Sequence, residues 1–351
     1  MKGLRNICFL LTVVSLAFLS GCSEPLVPEQ PADAPIGFVA GVSRLALTTT
    51  KTEDDIPTDL PPMAFQDTSF SVFGAYIQNG DSEDDADAFQ SVFNNKKVRY
   101  VNNAWTYGEP VQYWKRLCKY WFYGVHPYRE EDVRFSPSNK RVVVTYSMHA
   151  DTSALMVTSC KRDQTAGFSA DPVSLQFHHA CAAVRFLFRK GSDAGSNNYW
   201  MHSFELQNLQ TVGSLIYKHV EEGETEEPFS WVLSDFQSAS VFEWEEDEQT
   251  GHVAVTSRYT EFVDKARWLY VIPQTISGVT GSRPAVNFSV WVNNTDTGEP
   301  VYTTLELPDI TWLPGKAYNY LIQIQPSTAT VTVVTTDWDV YSAALDDIIF
   351  H

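Results

Sequence analysis

Cys22 is the residue whose position speaks most directly of chemistry. It closes the string Leu19, Ser20, Gly21, Cys22, behind Lys2, Arg5 and an apolar run over residues 7–18 that is too short to read as a spanning helix. A thiol placed after small residues in this way can be diacylated before the peptide ahead of it is removed. Several acyl chains on one N-terminus then hold a membrane far better than one. The string reads as a lipobox, with residues 1–21 as the signal peptide of an exported lipoprotein. Ser23 and Glu24 follow, not an aspartate that would argue for inner-membrane retention, so the outer membrane or cell surface is the expected address.

The other chemically able groups are less telling. His178 and His179 are adjacent, but metal or acid–base work would need partner ligands that spacing does not supply, and a satisfied structural role beside a strand irregularity is expected. Asp81, Glu83, Asp84, Asp85 and Asp87 suggest a cation loop but lack the glycine and the terminal glutamate of an EF-hand. That run and the acidic stretches 221–227 and 243–248 are expected to be solvated loops. Ten tryptophans could include a flat platform for sugar rings; filling the cores is the preferred reading, because several lie within alternating apolar strands. Cys8 leaves with the signal. Cys118, Cys160 and Cys181 have neither zinc spacing nor the density of a disulfide framework, so each reads as a small buried residue, with one disulfide among them left open. No phosphate-cradling loop, zincin helix or nucleophile elbow is present, and no enzyme, cofactor or metal is expected.

The elements that must position these groups are strands. The chain has 351 residues, and the 330 from Cys22 onward suffice for two ordinary domains. Its 43 acidic residues against 25 basic ones give a net charge of −18, which disfavours a nucleic-acid partner. Residues 23–36 have the composition of a tether. Residues 37–50 then form one isolated strand with Phe38, Ala40 and Val42 alternating, Leu45 and Leu47 beyond, and Arg44 between; residues 51–62 break it from the rest. Period-two patterns follow throughout, at Phe70, Val72 and Tyr76, at Val142, Val144 and Tyr146, and at Tyr318, Tyr320 and Ile322. Only Tyr259, Phe262, Val263 and Ala266 suggest a short helix. Val173, Leu175 and Phe177 share one parity and Val184, Phe186 and Phe188 the other, so a bulge or kink is expected between His178 and Ala183. The expected organisation is all-β: a lipidated tether and strand over 22–51, one sandwich over 52–171 and another over 172–351, divided at Asp171 and Pro172, with no repeat period.

Several segments together resemble the fimbrillin family of lipoprotein pilins. They are F-S-V-F-G-A-Y at 70–76; Phe93, Asn94 and Asn95 with Trp105, Tyr107, Tyr113 and Trp114; F-Y-G-V-H-P at 122–127; L-Q-F-H-H-A-C-A-A-V-R-F at 175–186; I-P-Q-T at 272–275; W-L-P-G-K-A-Y-N-Y at 312–320; and Asp337, Trp338. Gly124 and Cys181 stand where the family pattern has alanine and leucine. The resemblance implies two transthyretin-like sandwiches, delivery to the outer membrane through lipid on Cys22, and assembly with other pilus subunits by strand exchange. In such proteins a protease cuts after a basic residue near the N-terminus, the first strand leaves, and another subunit's strand fills the groove. Arg44 is the first candidate for that cut and Lys51 the second, against the alternative of exposed basic residues on an uncut strand. Val340, Leu345, Ile348, Ile349 and Phe350 mark a candidate donor strand, interrupted by Asp346 and Asp347; a permanently folded-back final strand is the equal alternative. An outer-membrane glycan binder with an aromatic platform is the alternative to a structural and adhesive pilus subunit.

Overall fold

The computed structural model describes residues 34–42, 65, 69–148, 153–221, 228–234, 237–238, 240–246, 252–261, 268–278, 283–293 and 299–338. Cys22, Arg44, Lys51 and the segment from Val340 to Phe350 lie outside these residues. Within them the chain is all-β, with two single 3-10 turns, Ala86–Ala88 and Ser192–Ala194, as the only helical elements.

Seven strands close a barrel in the order β1 (Phe38–Val42), β4 (Ala104–Tyr107), β3 (Gln90–Val101), β2 (Ser69–Gln78), β5 (Cys118–His126), β8 (Met156–Asp163) and β9 (Val173–His179), with β9 bonded back to β1. Strands β2 and β5 are buried on both faces. Phe70, Val72, Tyr76, Tyr120 and Phe122 fill the barrel, whereas Phe73, Ile77, Trp121, Tyr123 and Val125 point outward beneath a second sheet. Side chains alternate across a strand, so an unbroken apolar run demands a layer on each side. The second sheet runs β14 (Phe229–Leu233), β13 (Val212–Lys218), β7 (Arg141–Ser147), β6 (Val133–Ser136).

This arrangement corrects the division at Asp171 and Pro172. Strand β9 bonds to β8 and β1, and β13 pairs with β7 from Val212 opposite Ser147 to Lys218 opposite Arg141, so both belong by hydrogen bonding to the first unit. The reason is apolar surface. Val142, Val144 and Tyr146 of β7 cannot cover the outer face of the barrel alone, and Leu215 and Tyr217 of β13 complete that layer.

The chain passes to the second unit through buried Ala180 and Cys181, and the expected change of phase is found there. Val173, Leu175 and Phe177 face inward on β9, and after the crossing Ala182, Val184, Phe186 and Phe188 of β10 (Ala182–Lys190) face a different core. That core lies between two sheets. One is β18 (Leu269–Val271), β10, β23 (Lys316–Ile324), β24 (Ala329–Asp337); the other is β16 (Phe242–Glu245), β11 (Tyr199–Gln207), β20 (Ala285–Val292), β21 (Val301–Glu306), with β17 (Val253–Val255) also on β11. Two short ladders, β12 (Leu209–Gln210) with β15 (Gln237–Ser238) and β19 (Thr275–Ile276) with β22 (Ile310–Thr311), tie loops between them.

No helix forms at Tyr259. Residues 256–261 cross the outer face of β10 as an extended strap, with Thr260 bridging Phe188 and Tyr259 packed on Leu187 and Leu321. Residues 262–267, the rest of the expected helix, lie outside the described residues.

Both units turn the same corner, a repeat that pattern reading missed. Trp114 is followed three residues on by Leu117 at φ 56 and six residues on by Tyr120, whose hydroxyl accepts from the Lys115 N–H at 2.7 Å. Trp312 is followed at the same spacings by Gly315 at φ 65 and Tyr318, whose hydroxyl accepts from the Leu313 N–H at 2.9 Å and donates to the Thr311 carbonyl at 3.0 Å. A left-handed residue suits glycine and strains leucine. The second corner therefore shows a W-x-P-G signature and the first does not.

Candidate functional site

The feature most able to do work is the position of β1. It runs parallel to β9, Phe38 beside Val173 through Val42 beside Phe177, and antiparallel to β4, Phe38 opposite Trp105. The ladder extends past the strand at its N-terminal end: the Ile36 N–H donates to the Gln112 carbonyl at 2.8 Å and the Trp114 N–H to the Ala34 carbonyl at 3.0 Å. The Val173 N–H donates to the Gly37 carbonyl at 2.8 Å, and the Tyr107 hydroxyl to the Ile36 carbonyl at 2.9 Å. Every one of these partners is distant in sequence. Among the described residues β1 pairs only with sequence-remote partners, its parallel pairing with β9 spanning about 135 positions, so it is an insert held by its groove.

The groove is aromatic. Ile36, Phe38 and Ala40 are buried, Ala34 and Val42 partly so, and the Phe38 ring meets Phe93 at 5.3 Å, Tyr107 at 5.9 Å, Phe122 at 6.1 Å and Phe70 at 6.5 Å. The alternation at Phe38 and Ala40 was legible in the sequence. The walls were not: residues 112–114 and β9 are remote, and only the barrel closure brings them to β1.

The remaining candidates resolve into structure. His179 is buried and stacks on Trp338 at 3.8 Å, with Tyr270 on Trp338 at 5.5 Å, so the histidine motif and the terminal D-W are two halves of one contact between the units. Among the described residues no group of three or more His, Cys, Asp or Glu side chains is placed to hold a metal ion. Cys118, Cys160 and Cys181 are free thiols, and burial pushes Cys160 up to about 11, far from a reactive thiolate.

Glu83 is not simply a solvated loop residue. Lys119 reaches it at 3.2 Å, Lys140 also pairs with it, and these hydrogen bonds overcome burial to hold its carboxyl below the usual range. The same logic governs Glu246, where burial opposes ionisation and hydrogen bonds from His252, Trp291 and His202 lower the carboxyl nonetheless.

None of the ten tryptophans is exposed. Trp114, Trp121, Trp268, Trp312 and Trp338 are buried and the other five are half-buried, Trp244 among them at the edge of an open groove. One aromatic ring does stand out on a sheet face. Tyr302 on β21 is 74% exposed and borders an open groove of about 660 Å³ with Glu205, Glu243, Glu245, Asn287 and Thr304. There the Thr304 hydroxyl donates to Asn287 Oδ1 at 2.8 Å and Asn287 Nδ2 donates to Glu205 at 3.0 Å.

Comparison with known proteins decides the family. The model of the fimbrillin-like family matches residues 63–338. The chain belongs to the fimbrillin-like family. Among solved structures, a putative cell adhesion protein from Parabacteroides distasonis is similar at a TM-score of 0.50 and 10% identity, over 90% of this chain and 100% of that one. A fimbrial protein from Bacteroides vulgatus gives 0.49 and 14%, over 86% and 99%. The tip fimbrial protein Mfa3 from Porphyromonas gingivalis gives 0.38 and 11%, over 78% and 94%. At 10% identity the likeness to the first of these is one of fold. Among curated proteins none matches the sequence. The fimbrillin-like match starts at residue 63, beyond β1, so the inserted strand falls outside the part of the chain that the family model describes.

Proposed function

We propose that this fimbrillin-like protein is a structural and adhesive pilus subunit, carried to the outer membrane by lipid on Cys22 and assembled at the cell surface by strand exchange. The observation that carries the reading is β1 itself, a strand that among the described residues closes a barrel through sequence-remote pairings. Arg44 follows the last residue of β1 by two positions, so a cut there frees residues 22–44 from covalent attachment to the barrel. The vacated groove would present unpaired backbone groups and apolar pockets at alternate positions, the chemistry that captures an added strand. Residues 340–350 are the candidate donor. Lys51 is the second cleavage candidate, and a cut there has the same consequence for β1.

Limited proteolysis with an arginine-specific protease tests this. A new N-terminus at Leu45 and uptake of an added peptide of residues 34–43 by the trimmed chain are expected. Arg44→Gln combined with Lys51→Gln should leave the chain whole and unable to take up the peptide under the same treatment. A trimmed chain that takes up no added strand would remove the reading.

The Tyr302 groove favours a second activity, binding of a neutral glycan. A flat exposed ring offers a face to sugar C–H groups, and the Thr304, Asn287 and Glu205 chain offers hydroxyl partners already held in place. The adjoining Glu243 and Glu245 repel anionic sugars. On a neutral-glycan array, Tyr302→Ala should cost at least tenfold in binding while leaving the melting temperature unchanged. Equal binding by both proteins excludes the groove.

A further inference from the structure

Resting on the strand-exchange reading, we propose that the β1 groove is completed by an extended, uncharged segment of a different polypeptide, and not by residues 340–350 of a second copy of this chain. The groove dictates a pattern. The inward side chains over residues 34–42 are Ala34, Ile36, Phe38, Ala40 and Val42, a series of small, large, large, small and medium. The two large residues sit where the aromatic cage is, with Phe38 against four rings. Ala40 lies beside Leu175 and is only 3% exposed, and a close-packed interior resists added volume there. The buried side chains clustered around the inserted strand, Phe70, Phe93, Phe122, Val173 and Phe177 among them, are apolar.

The sequence from Val340 to Phe350 cannot meet this pattern. Asp346 and Asp347 are adjacent, and successive residues of a strand face opposite sides. Any register that crosses the pair, in either direction, therefore turns one carboxylate into the barrel. An ionised carboxylate without a partner is among the most costly groups to bury. Registers that avoid the pair are too short. Residues 340–345 offer three inward positions, either Tyr341, Ala343 and Leu345 or Val340, Ser342 and Ala344, and residues 348–350 offer two, whereas the groove takes five. Neither stretch sets two large residues before a small one at alternate positions in a run long enough to span the groove.

The backbone of the incoming segment is specified as well. A segment that repeats the bonds of β1 to the Val173 and Trp114 N–H groups and to the Gln112 carbonyl runs parallel to β9, as β1 does. The partner is thus recognised by an alternating small-large-large-small-medium stretch of at least nine residues with no charge on its inward face.

The experiment uses the full chain with a cleavage sequence for a site-specific protease inserted after Ser43, cut in place. Labelled synthetic peptides are then exchanged into the groove and followed by fluorescence anisotropy. The peptide of residues 34–43 is expected to bind, and the peptide of residues 338–351 to bind at least a hundredfold more weakly. Changing Asp346→Ala and Asp347→Ala in the second peptide should recover part of that loss. Binding of the unchanged 338–351 peptide within tenfold of the 34–43 peptide overturns the proposal and leaves strand exchange intact. Failure of the 34–43 peptide to enter the cut protein removes strand exchange and this proposal with it.

Discussion

Replacing Phe38 with alanine is expected to destabilise the first barrel by about 3–5 kcal/mol, the usual cost of deleting a buried phenylalanine ring. The size follows from where the ring sits. Phe38 is 5% exposed and touches four other aromatic rings, so its removal leaves a cavity whose walls are large, rigid and unable to collapse into it. By contrast Val39, on the opposite face of the same strand, is half-buried, and Val39→Ala should cost under about 1 kcal/mol. Urea titration monitored by tryptophan fluorescence gives both values. The pair separates an inserted strand from a loosely draped segment, because a draped segment would make the two substitutions alike. Once the chain is cut after β1, Phe38→Ala should also speed loss of the released strand by roughly a hundredfold or more, since about 2.7 kcal/mol is already a factor of a hundred.

How much of this was legible in the sequence depends on the range of the interaction involved. Strand β1 was visible because Phe38 and Ala40 alternate locally, and the crossing between units was visible because Phe177 and Val184 sit on opposite parities within one short stretch. What stayed hidden was non-local. Nothing near Val212 announces that its strand returns to pair with Arg141 to Ser147, so the division at Asp171 and Pro172 looked sound. The corner at Trp114 escaped notice because leucine, not glycine, occupies its left-handed position at Leu117. Lys119 and Lys140 are distant from the acidic run that holds Glu83, and that separation made the run look merely solvated. The groove at Tyr302 had no signal at all, since its lining residues come from four strands spread over residues 203–304.

Arg185 shows the same limit with the larger energetic consequence. Period-two reading turns Arg185 away from the core, because Val184 and Phe186 flank it, and an outward arginine reads as solvated. The strap over residues 256–261 covers it instead. Arg185 is 1% exposed, its guanidinium pairs with Glu261 at 3.0 Å, donates to Asn319 and lies 4.3 Å from the Trp268 ring centroid. Arg185→Ala is expected to cost about 3–5 kcal/mol, because it strands a largely buried carboxylate and a buried amide without their partner. The loss should appear in thermal unfolding of the second unit as a fall of roughly 10 °C. If the cost comes from the orphaned charge and not from lost volume, Arg185→Met with Glu261→Gln should recover most of it, since replacing both members of a buried pair is often close to neutral. A double variant as unstable as Arg185→Ala would mean that stacking on Trp268, and not the ion pair, fastens the strap to the sheet.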